Sequence, residues 1–344
     1  MYFGRDREFG GRDLKVVFMP VFASMWDSLA PLYYEHMNNW DECVVLPMPY
    51  YTKSMGGDLK SWRYDIATLP MGAEVKKEHR YLSRLNAVSD ICTEILKILD
   101  LVQPDVIYIN NPYDGCNVVT SVPSSLYSKE LKKHTKKLIY VPYFAMKGNS
   151  ISFHFVNMPG VKNADEVIVD SEEQRQAYVK VFGQYSIPHP EKVKARPSTK
   201  IEYLRMVRET GIVLPESWSV KIAAKKKVIF FNTTINMLSQ NVSAYLEHLK
   251  HELYQFYENR HNDELILWRP HPLFLDTIIA FGPSYAVDYQ KMVADFILRD
   301  YGIFDDSGDL QTAILVSDEY YGDESSVVRL FEALDKPVTI RQAF

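Results

Sequence analysis

The chain of 344 residues carries a formal net charge of -5 at pH 7, and 47% of its residues are hydrophobic. It is long enough for two α/β domains, and its acidic balance argues against a general nucleic-acid binder. No apolar run reaches the ~18 residues that a membrane helix needs. The charged segment Met1–Asp13 lacks the pattern of a signal peptide, so we expect a cytoplasmic protein.

The first half of the chain alternates short apolar runs with amphipathic segments, which predicts parallel strands covered by helices on both faces. The predicted strands are Leu14–Pro20, Glu42–Pro47, Asp105–Asn110, Lys137–Pro142 and Glu166–Asp170. Helices are predicted over Ser24–Asn38 and Leu82–Val102, and from Ser171 onward. The polar residues 51–80 are predicted to form a long loop.

Residues 184–226 break this alternation with several prolines and a basic run, and we predict a hinge there. The alternation restarts at 227. We therefore expect an N-terminal domain over 1–183 and a C-terminal domain over 227–344. The predicted fold class is α/β, with two doubly wound, Rossmann-like parallel-sheet domains facing across a cleft. The last strands of the second domain are predicted at 264–268, 302–305 and 319–322.

The segment Ser317–Val328 contains the last predicted strand of the second domain, followed by two residues with hydroxyl side chains. A short strand stops at Asp323, and Ser325 and Ser326 follow where an amphipathic helix is predicted to begin. Unpaired N–H groups at a helix N-terminus suit a phosphate, and Ser hydroxyls add donors. The alternative is that a Ser only caps the helix.

A second motif, Arg269-Pro270-His271-Pro272, follows the buried-strand pattern of residues 265–268. Proline cannot sit in a central strand, so the strand ends near Arg269. The loop after it carries two side chains that can bind phosphate.

These two motifs resemble the C-terminal half of the CDP-glycerol glycerophosphotransferase family, the teichoic-acid polymerase-like GT-B transferases. Members show Arg-x-His-Pro after one strand, then Ser-Asp and Asp-Tyr-Ser-Ser before a helix that ends in Lys-Pro. Glu324 stands here in place of the motif Tyr. The resemblance covers roughly residues 226–340, and Thr233 lies in the strand and polar loop that open the second domain.

The resemblance implies a nucleotide-diphosphate-linked donor whose phosphates contact a set of residues in the second domain. His271 would act in catalysis as well as in binding. The implied phosphate-binding residues are Arg269, Asp323, Ser325 and Ser326, and Thr233 is a further donor contact. Family members also carry a Gly-x-Pro-Arg element, which Arg196–Lys200 replaces here. Arg196 or Lys200 could neutralise a diphosphate; the alternative is a solvated basic hinge.

Polar side chains also follow two predicted strands of the first domain, on the side where the resemblance places the acceptor. Ser24 and Asp27 follow the first strand, and a helix cap is the equally simple interpretation. Asn110 and Asn111 follow the third strand and suit a hydroxyl-rich ligand, although Asn-Pro also favours an Asx turn.

His154 is the candidate general base. The family carries a His-Gly-Thr loop near residues 140–144, but no histidine occurs in that run, and His154 is the histidine nearest to it. A neutral imidazole can accept a proton from an acceptor hydroxyl at pH 7. The competing interpretation is a core histidine between Phe153 and Phe155.

The predicted function is a metal-independent transferase that moves a glycerophosphate or glycosyl group to an acceptor hydroxyl, in cell-surface polymer or glycan synthesis. We expect no cofactor and no metal, because no Asp-x-Asp motif is present. The expected partners are the nucleotide-diphospho donor, a hydroxyl-bearing acceptor, and the inner membrane face or other glycan-synthesis proteins, but no nucleic acid. The alternatives are a catalytically silent nucleotide-binding protein and a sugar-nucleotide epimerase-like enzyme.

Overall fold

The computed structural model describes residues 13–54, 56–64, 82, 84–146, 148, 150–225, 227–239, 241–259 and 263–341. The chain divides into two compact units. Unit 1 consists of Met1–Tyr51 and Ser61–Tyr203, and unit 2 of Thr52–Lys60 and Leu204–Phe344. In the described part of the chain, no helix is long and apolar enough to cross a membrane.

The main sheet of unit 1 has six parallel strands in the order β2-β1-β5-β7-β8-β9. A three-stranded sheet has the order β4-β3-β6. The strands are β1 (Lys15–Met19), β2 (Glu42–Val45), β3 (Tyr50–Lys53), β4 (Leu59–Arg63), β5 (Val106–Ile109), β6 (Thr120–Ser121), β7 (Lys137–Tyr140), β8 (Glu166–Val169) and β9 (Val193–Ala195). The helices are α1 (Ala30–Asn38), α2 (Val88–Val102), α3 (Ser128–Leu131), α4 (Phe153–Val156), α5 (Pro159–Asn163) and α6 (Glu172–Gln184). Helix α7 (Thr199–Thr210) begins in unit 1, and its residues from Leu204 onward belong to unit 2.

The sheet of unit 2 has five parallel strands in the order β12-β11-β10-β13-β14. The strands are β10 (Lys227–Thr233), β11 (Glu264–Pro270), β12 (Ile303–Phe304), β13 (Glu319–Gly322) and β14 (Val338–Ile340). The helices are α8 (Glu216–Ala223), α9 (Val242–Asn259), α10 (Phe274–Phe281), α11 (Pro283–Leu298), α12 (Leu310–Val316) and α13 (Val328–Glu332). Aromatic side chains such as Phe231 and Trp268 fill the core on one face of this sheet.

Both main sheets are parallel and doubly wound, which confirms the predicted α/β class with two Rossmann-like sheets. The strand order reverses between β1 and β5 in unit 1 and between β10 and β13 in unit 2. A reversal leaves a crevice at the carboxyl ends of the two strands, where open α/β sheets bind ligands. Residues after Met19 and Ile109 line this position in unit 1, and residues after Thr233 and Gly322 line it in unit 2.

Several boundaries differ from those predicted. The helix predicted over Ser24–Asn38 is a 3₁₀ helix at Ala23–Ser28 followed by α1. Pro31 stands in the first turn of α1, where it has no N–H to continue an earlier helix. The predicted long loop over 51–80 contains β4, and its residues 65–80 lie outside the described part. Helix α2 begins at Val88 rather than at the predicted Leu82.

The close approach of β10 and β13 depends on Gly322. A Cβ at this position would lie 2.8 Å from the backbone nitrogen of Asn232 and closer still to its carbonyl oxygen. Both atoms belong to the backbone of β10, which pairs with β13 at this position, and they cannot turn away as a side chain would. Only glycine therefore fits this register.

We expect Gly322→Ala to lower the free energy of unfolding by roughly 2–4 kcal/mol, because overpacking here must separate two central strands. Gly183→Ala is the matched control, since no atom lies within 4 Å of its added Cβ. Alanine in that helical position should raise the free energy by about 0.5–1 kcal/mol. Urea denaturation measures both. Equal effects of the two substitutions would contradict the argument.

Candidate functional site

The carboxyl ends of the unit 2 strands bring together most of the residues that the sequence predicted for donor binding. Thr233 ends β10, Arg269 lies at the end of β11, and His271 follows it. Asp323 and the two serines follow β13. Because all five strands are parallel, these ends lie at one edge of the sheet.

His271 is held at this edge by its backbone and by its ring. Its N–H donates to the carbonyl oxygen of Thr233 at 2.8 Å, and its Nδ1 accepts from the N–H of Leu273 at 3.1 Å. The residue is half-buried, and desolvation by burial lowers its pKa to about 4. The ring is therefore neutral at pH 7. With Nδ1 acting as acceptor, the proton resides on Nε2, which is left as a hydrogen-bond donor.

Ser325 is tied to its surroundings by three polar contacts. Its Oγ accepts from Asn232 Nδ2 at 3.1 Å and from the N–H of Val327 at 3.2 Å. The Tyr320 hydroxyl lies 3.3 Å away. Ser326 is half-buried, and its side chain has no hydrogen bond to any described residue. The two hydroxyls thus stay available as donors at the strand edge.

The helix after these serines is shorter than predicted. Helix α13 starts only at Val328 and spans five residues, Val328–Glu332. The bond from Val327 N–H to Ser325 Oγ forms a local turn, which delays the start of the helix. Asp335 has a positive φ of 56°, so helix α13 cannot continue to Lys336, where the sequence predicted its end. A helix this short contributes little dipole, so phosphate binding here depends on individual donors.

The Arg269 guanidinium is buried and ion-paired with Asp305. Its Nη2 also donates to the carbonyl oxygen of Ser307 at 2.7 Å. These contacts hold the loop after β12. The charge of Arg269 is therefore compensated within the protein, and its role as a phosphate ligand remains a prediction.

Asp323 joins the loops after β10 and β14. Its Oδ2 accepts from the N–H of Thr234 at 2.6 Å and from the Thr234 hydroxyl at 3.1 Å, and its Oδ1 pairs with buried Arg341. Arg341 also donates to Glu252 and to the Tyr245 hydroxyl, each at 2.5 Å. Asp323 therefore stabilises the loops after β10 and β14. A carboxylate would also repel a phosphate, so the phosphate-binding role of Asp323 stays a prediction.

Thr233 points toward the protein interior. Its side chain is fully buried, and its Oγ1 accepts from Trp268 Nε1 at 3.3 Å. The neighbouring residue Asn232, which the sequence analysis did not select, contacts Ser325 instead. A strand places alternate residues on opposite faces, so a one-residue difference decides which side chain faces the serines.

In unit 1, two candidates from distant positions form one buried ion pair. Lys200 Nζ lies 2.8 Å from Asp27 Oδ1 and 2.6 Å from Oδ2. Asp27 belongs to the 3₁₀ helix after β1, and Lys200 to the first turn of α7. The pair connects these segments and compensates both charges.

The remaining unit 1 candidates are mostly held by neighbours. Asn110 Nδ2 donates to the carbonyl oxygen of Met25 at 2.8 Å. Asn111 Oδ1 accepts from the Tyr113 N–H at 3.1 Å, the Asx turn that Asn-Pro favours. The Arg196 guanidinium contacts Glu202 at 2.9 Å and Glu35 at 3.5 Å. Ser24 is half-buried in the 3₁₀ helix.

His154 lies on the surface, in the four-residue helix α4. The adjacent Phe153 stacks on Tyr185 with ring centroids 3.9 Å apart. The histidine is therefore not packed in the core, and its role as a base remains a prediction. Across the described residues, no three His, Cys, Asp or Glu side chains form a group that could hold a metal ion.

No protein-family model matches the chain, and no curated protein matches its sequence. Solved structures do match it. The complex of S. aureus MnaA with UDP has a TM-score of 0.55 at 11% identity, covering 96% of this chain and 80% of that chain. The Methanocaldococcus jannaschii UDP-GlcNAc 2-epimerase in complex with UDP-GlcNAc and UDP also has a TM-score of 0.55 at 11% identity, covering 94% and 83%.

The wall teichoic acid polymerase TagF, soaked with CDPG, matches with a TM-score of 0.49 at 16% identity, covering 98% of this chain and 71% of that chain. At the identities of MnaA and the epimerase, the likeness shows the fold alone. The chain has a GT-B-like fold, as these nucleotide-sugar enzymes do. Membership of the CDP-glycerol glycerophosphotransferase family stays a prediction.

We expect Lys200→Met to lower the free energy of unfolding by about 3–5 kcal/mol, because it removes the cation that compensates buried Asp27. The double variant Asp27→Leu, Lys200→Met should recover much of this loss, since both charges are gone. Exposed Lys180→Met serves as control and should change stability by less than about 0.5 kcal/mol. Urea denaturation distinguishes these outcomes. A Lys200 variant as stable as the control would refute the ion-pair argument.

The pKa of His271 predicts a pH dependence of stability. The unfolded chain binds a proton at this histidine near pH 6.5, and the folded chain only near pH 4. Between these values the unfolded state holds more protons, so the free energy of unfolding falls as pH falls. Wild type should therefore lose more stability over this range than His271→Asn, whose amide oxygen still accepts from Leu273. Parallel pH profiles in urea denaturation would show that His271 does not titrate in this way.

Proposed function

We propose that the chain is a metal-independent transferase that moves a glycerophosphate or glycosyl group from a nucleotide-diphospho donor to an acceptor hydroxyl. The favoured donor is CDP-glycerol or a similar CDP-linked polyol or sugar, used in cell-surface polymer or glycan synthesis. The observation that carries the proposal is the set of neutral donors at the strand-order reversal of unit 2. These are His271 Nε2–H and the hydroxyls of Ser325 and Ser326.

Neutral donors of this kind suit phosphate oxygens, because hydrogen bonds to an ionised acceptor are stronger than neutral ones. His271 and Ser325 are held by hydrogen bonds to neighbouring residues before a ligand arrives, so these two donors lose little freedom on binding. Arg269 and Arg341 shape the surrounding loops through Asp305 and Asp323.

The reaction follows from the group that is transferred. With CDP-glycerol, the acceptor oxygen bonds to the β-phosphorus, the bond to the bridging oxygen breaks, and CMP leaves. With a nucleotide sugar, the acceptor oxygen bonds to the anomeric carbon and the nucleoside diphosphate leaves. In both cases charge grows on the leaving phosphate, where His271, Ser325 and Ser326 would stabilise it. His154 would accept the proton of the acceptor hydroxyl.

We also propose that the protein works in the cytoplasm, with the inner membrane face or other glycan-synthesis proteins as partners. This part of the proposal rests only on the resemblance to the CDP-glycerol glycerophosphotransferase family.

An epimerase-like enzyme is the second candidate, and the fold likeness to the M. jannaschii epimerase favours it. An epimerase converts a nucleotide sugar without an acceptor and releases no CMP. A silent nucleotide-binding protein would bind a nucleotide and change neither substrate. Product analysis with and without an acceptor therefore separates the three functions.

We expect Ser325→Ala combined with Ser326→Ala to weaken nucleotide binding by about 1–3 kcal/mol, the cost of lost hydrogen bonds to a charged group. Calorimetry follows a thermal-shift screen of CMP, CDP, UDP and GDP, because ligands raise the apparent stability of the native state. The control replaces the exposed Ser243 and Ser284 by Ala. If the Ser325, Ser326 double variant binds the nucleotide with unchanged affinity, the proposed donor site does not lie at this edge of the sheet.

We expect His154→Ala to lower turnover roughly 10²–10⁴-fold, the usual range for loss of a general base, with donor affinity nearly unchanged. Exposed His251→Ala on α9 is the control. Wild-type turnover should persist in the presence of a chelator. Turnover that vanishes with chelator and returns with magnesium would contradict the metal-independent part, and an unaffected His154 variant would contradict the role of this base.

A further inference from the structure

Asn232 contacts the proposed donor site through its amide, although no sequence motif marks it. It stands next to the end of β10 and is 5% exposed. Its Nδ2 lies 2.9 Å from the Tyr320 hydroxyl and 3.1 Å from Ser325 Oγ. One side-chain amide group therefore connects β10, β13 and the loop that follows β13.

The hydrogen-bond network fixes which way this amide faces. The Tyr320 hydroxyl donates its proton to the carbonyl oxygen of Asp323. It must therefore accept from Asn232, and the NH₂ side of the amide faces Tyr320 and Ser325. Burial of Tyr320 raises the pKa of its hydroxyl to about 12, so this proton stays in place at neutral pH.

This orientation determines what Ser325 can offer to a ligand. Its oxygen accepts from Asn232 Nδ2 and from the Val327 N–H, which uses both lone pairs. The Ser325 proton is left to donate. The Tyr320 oxygen, at 3.3 Å, is a long and neutral acceptor for it. A phosphate oxygen is charged and accepts more strongly.

We propose that Asn232 is a positioning residue that presents the Ser325 hydroxyl as a hydrogen-bond donor to a phosphate oxygen of the nucleotide. This rests on the proposed nucleotide site. The non-bridging oxygens of a nucleotide-linked diphosphate carry no proton at neutral pH and can only accept, so a hydroxyl held as a donor matches them. An aspartate at 232 would reverse this polarity, because its carboxylate would accept the Ser325 proton.

The first test compares Asn232→Asp with wild type in binding a nucleotide and its nucleoside. CDP with cytidine, and UDP with uridine, are measured by calorimetry and, for weak nucleoside binding, by ligand-observed NMR at millimolar concentration. The variant should bind the nucleotide about 10- to 100-fold more weakly, while nucleoside binding stays within about twofold. Gln255→Glu, an amide-to-carboxylate change at an exposed position of α9, should change neither.

A second test separates positioning from added charge. Asn232→Leu introduces no charge and should weaken CDP binding by about three- to tenfold. In the Ser325→Ala background it should weaken binding no further, because the residue acts through that hydroxyl. This comparison of Asn232→Leu in the wild-type and Ser325→Ala backgrounds can be made even if thermal unfolding shows that Asn232→Asp does not fold.

The outcomes distinguish the inference from the proposed function. If wild type binds neither nucleotide, the proposed function is wrong and the inference falls with it. If wild type binds and the Asn232 variants bind equally well, only the inference is wrong. Equal losses for nucleotide and nucleoside, or additive effects of Asn232→Leu and Ser325→Ala, would assign Asn232 a purely structural role.

Discussion

The close packing of β10 against β13 is the constraint on which unit 2 depends. β10 is the central strand and pairs with β11 along its whole length and with β13 toward its carboxyl end. Gly322 lets the two backbones approach at that end. The approach brings Asn232 within hydrogen-bond reach of Tyr320 and Ser325. Strand register therefore positions the Ser325 hydroxyl before any ligand contact is made.

Buried charge supports the same edge from both sides. Arg269 with Asp305 fixes the loop after β12, and Arg341 with Asp323 fixes the loops after β10 and β14. Each arginine is paired with a carboxylate inside the protein. Removing one partner would therefore leave a buried charge uncompensated. The arginines thus make the loops rigid, and the loops in turn hold uncharged donors in position. At this sheet edge, the buried ion pairs keep the loops rigid, and the uncharged donors are the groups proposed to bind the ligand.

Hydrophobic periodicity was enough to predict the fold class and most strands, because a buried parallel strand reads as a continuous apolar run. Periodicity could not predict the two helices that Ser24–Asn38 forms, or the late start of α13. Both depend on single local hydrogen-bonding effects, at Pro31 and at Ser325. The ion pair of Asp27 with Lys200 joins residues 173 positions apart, and no local pattern reports such a contact.

In the candidate site, too, the sequence could not predict which side chains contact one another. The motif residues His271, Ser325 and Ser326 could be placed at strand ends from the sequence, and they do follow β11 and β13; their contact with a ligand stays a prediction. Thr233 was selected from the sequence and Asn232 was not, because a strand-end motif does not say which of two adjacent side chains faces Ser325. Asp323 and Arg269 were assigned to phosphate because the family resemblance implies it, yet their buried partners decide what they can contact. A charged residue type predicts a phosphate ligand only where the fold leaves that charge uncompensated, and at this edge the uncharged donors are the groups that remain available.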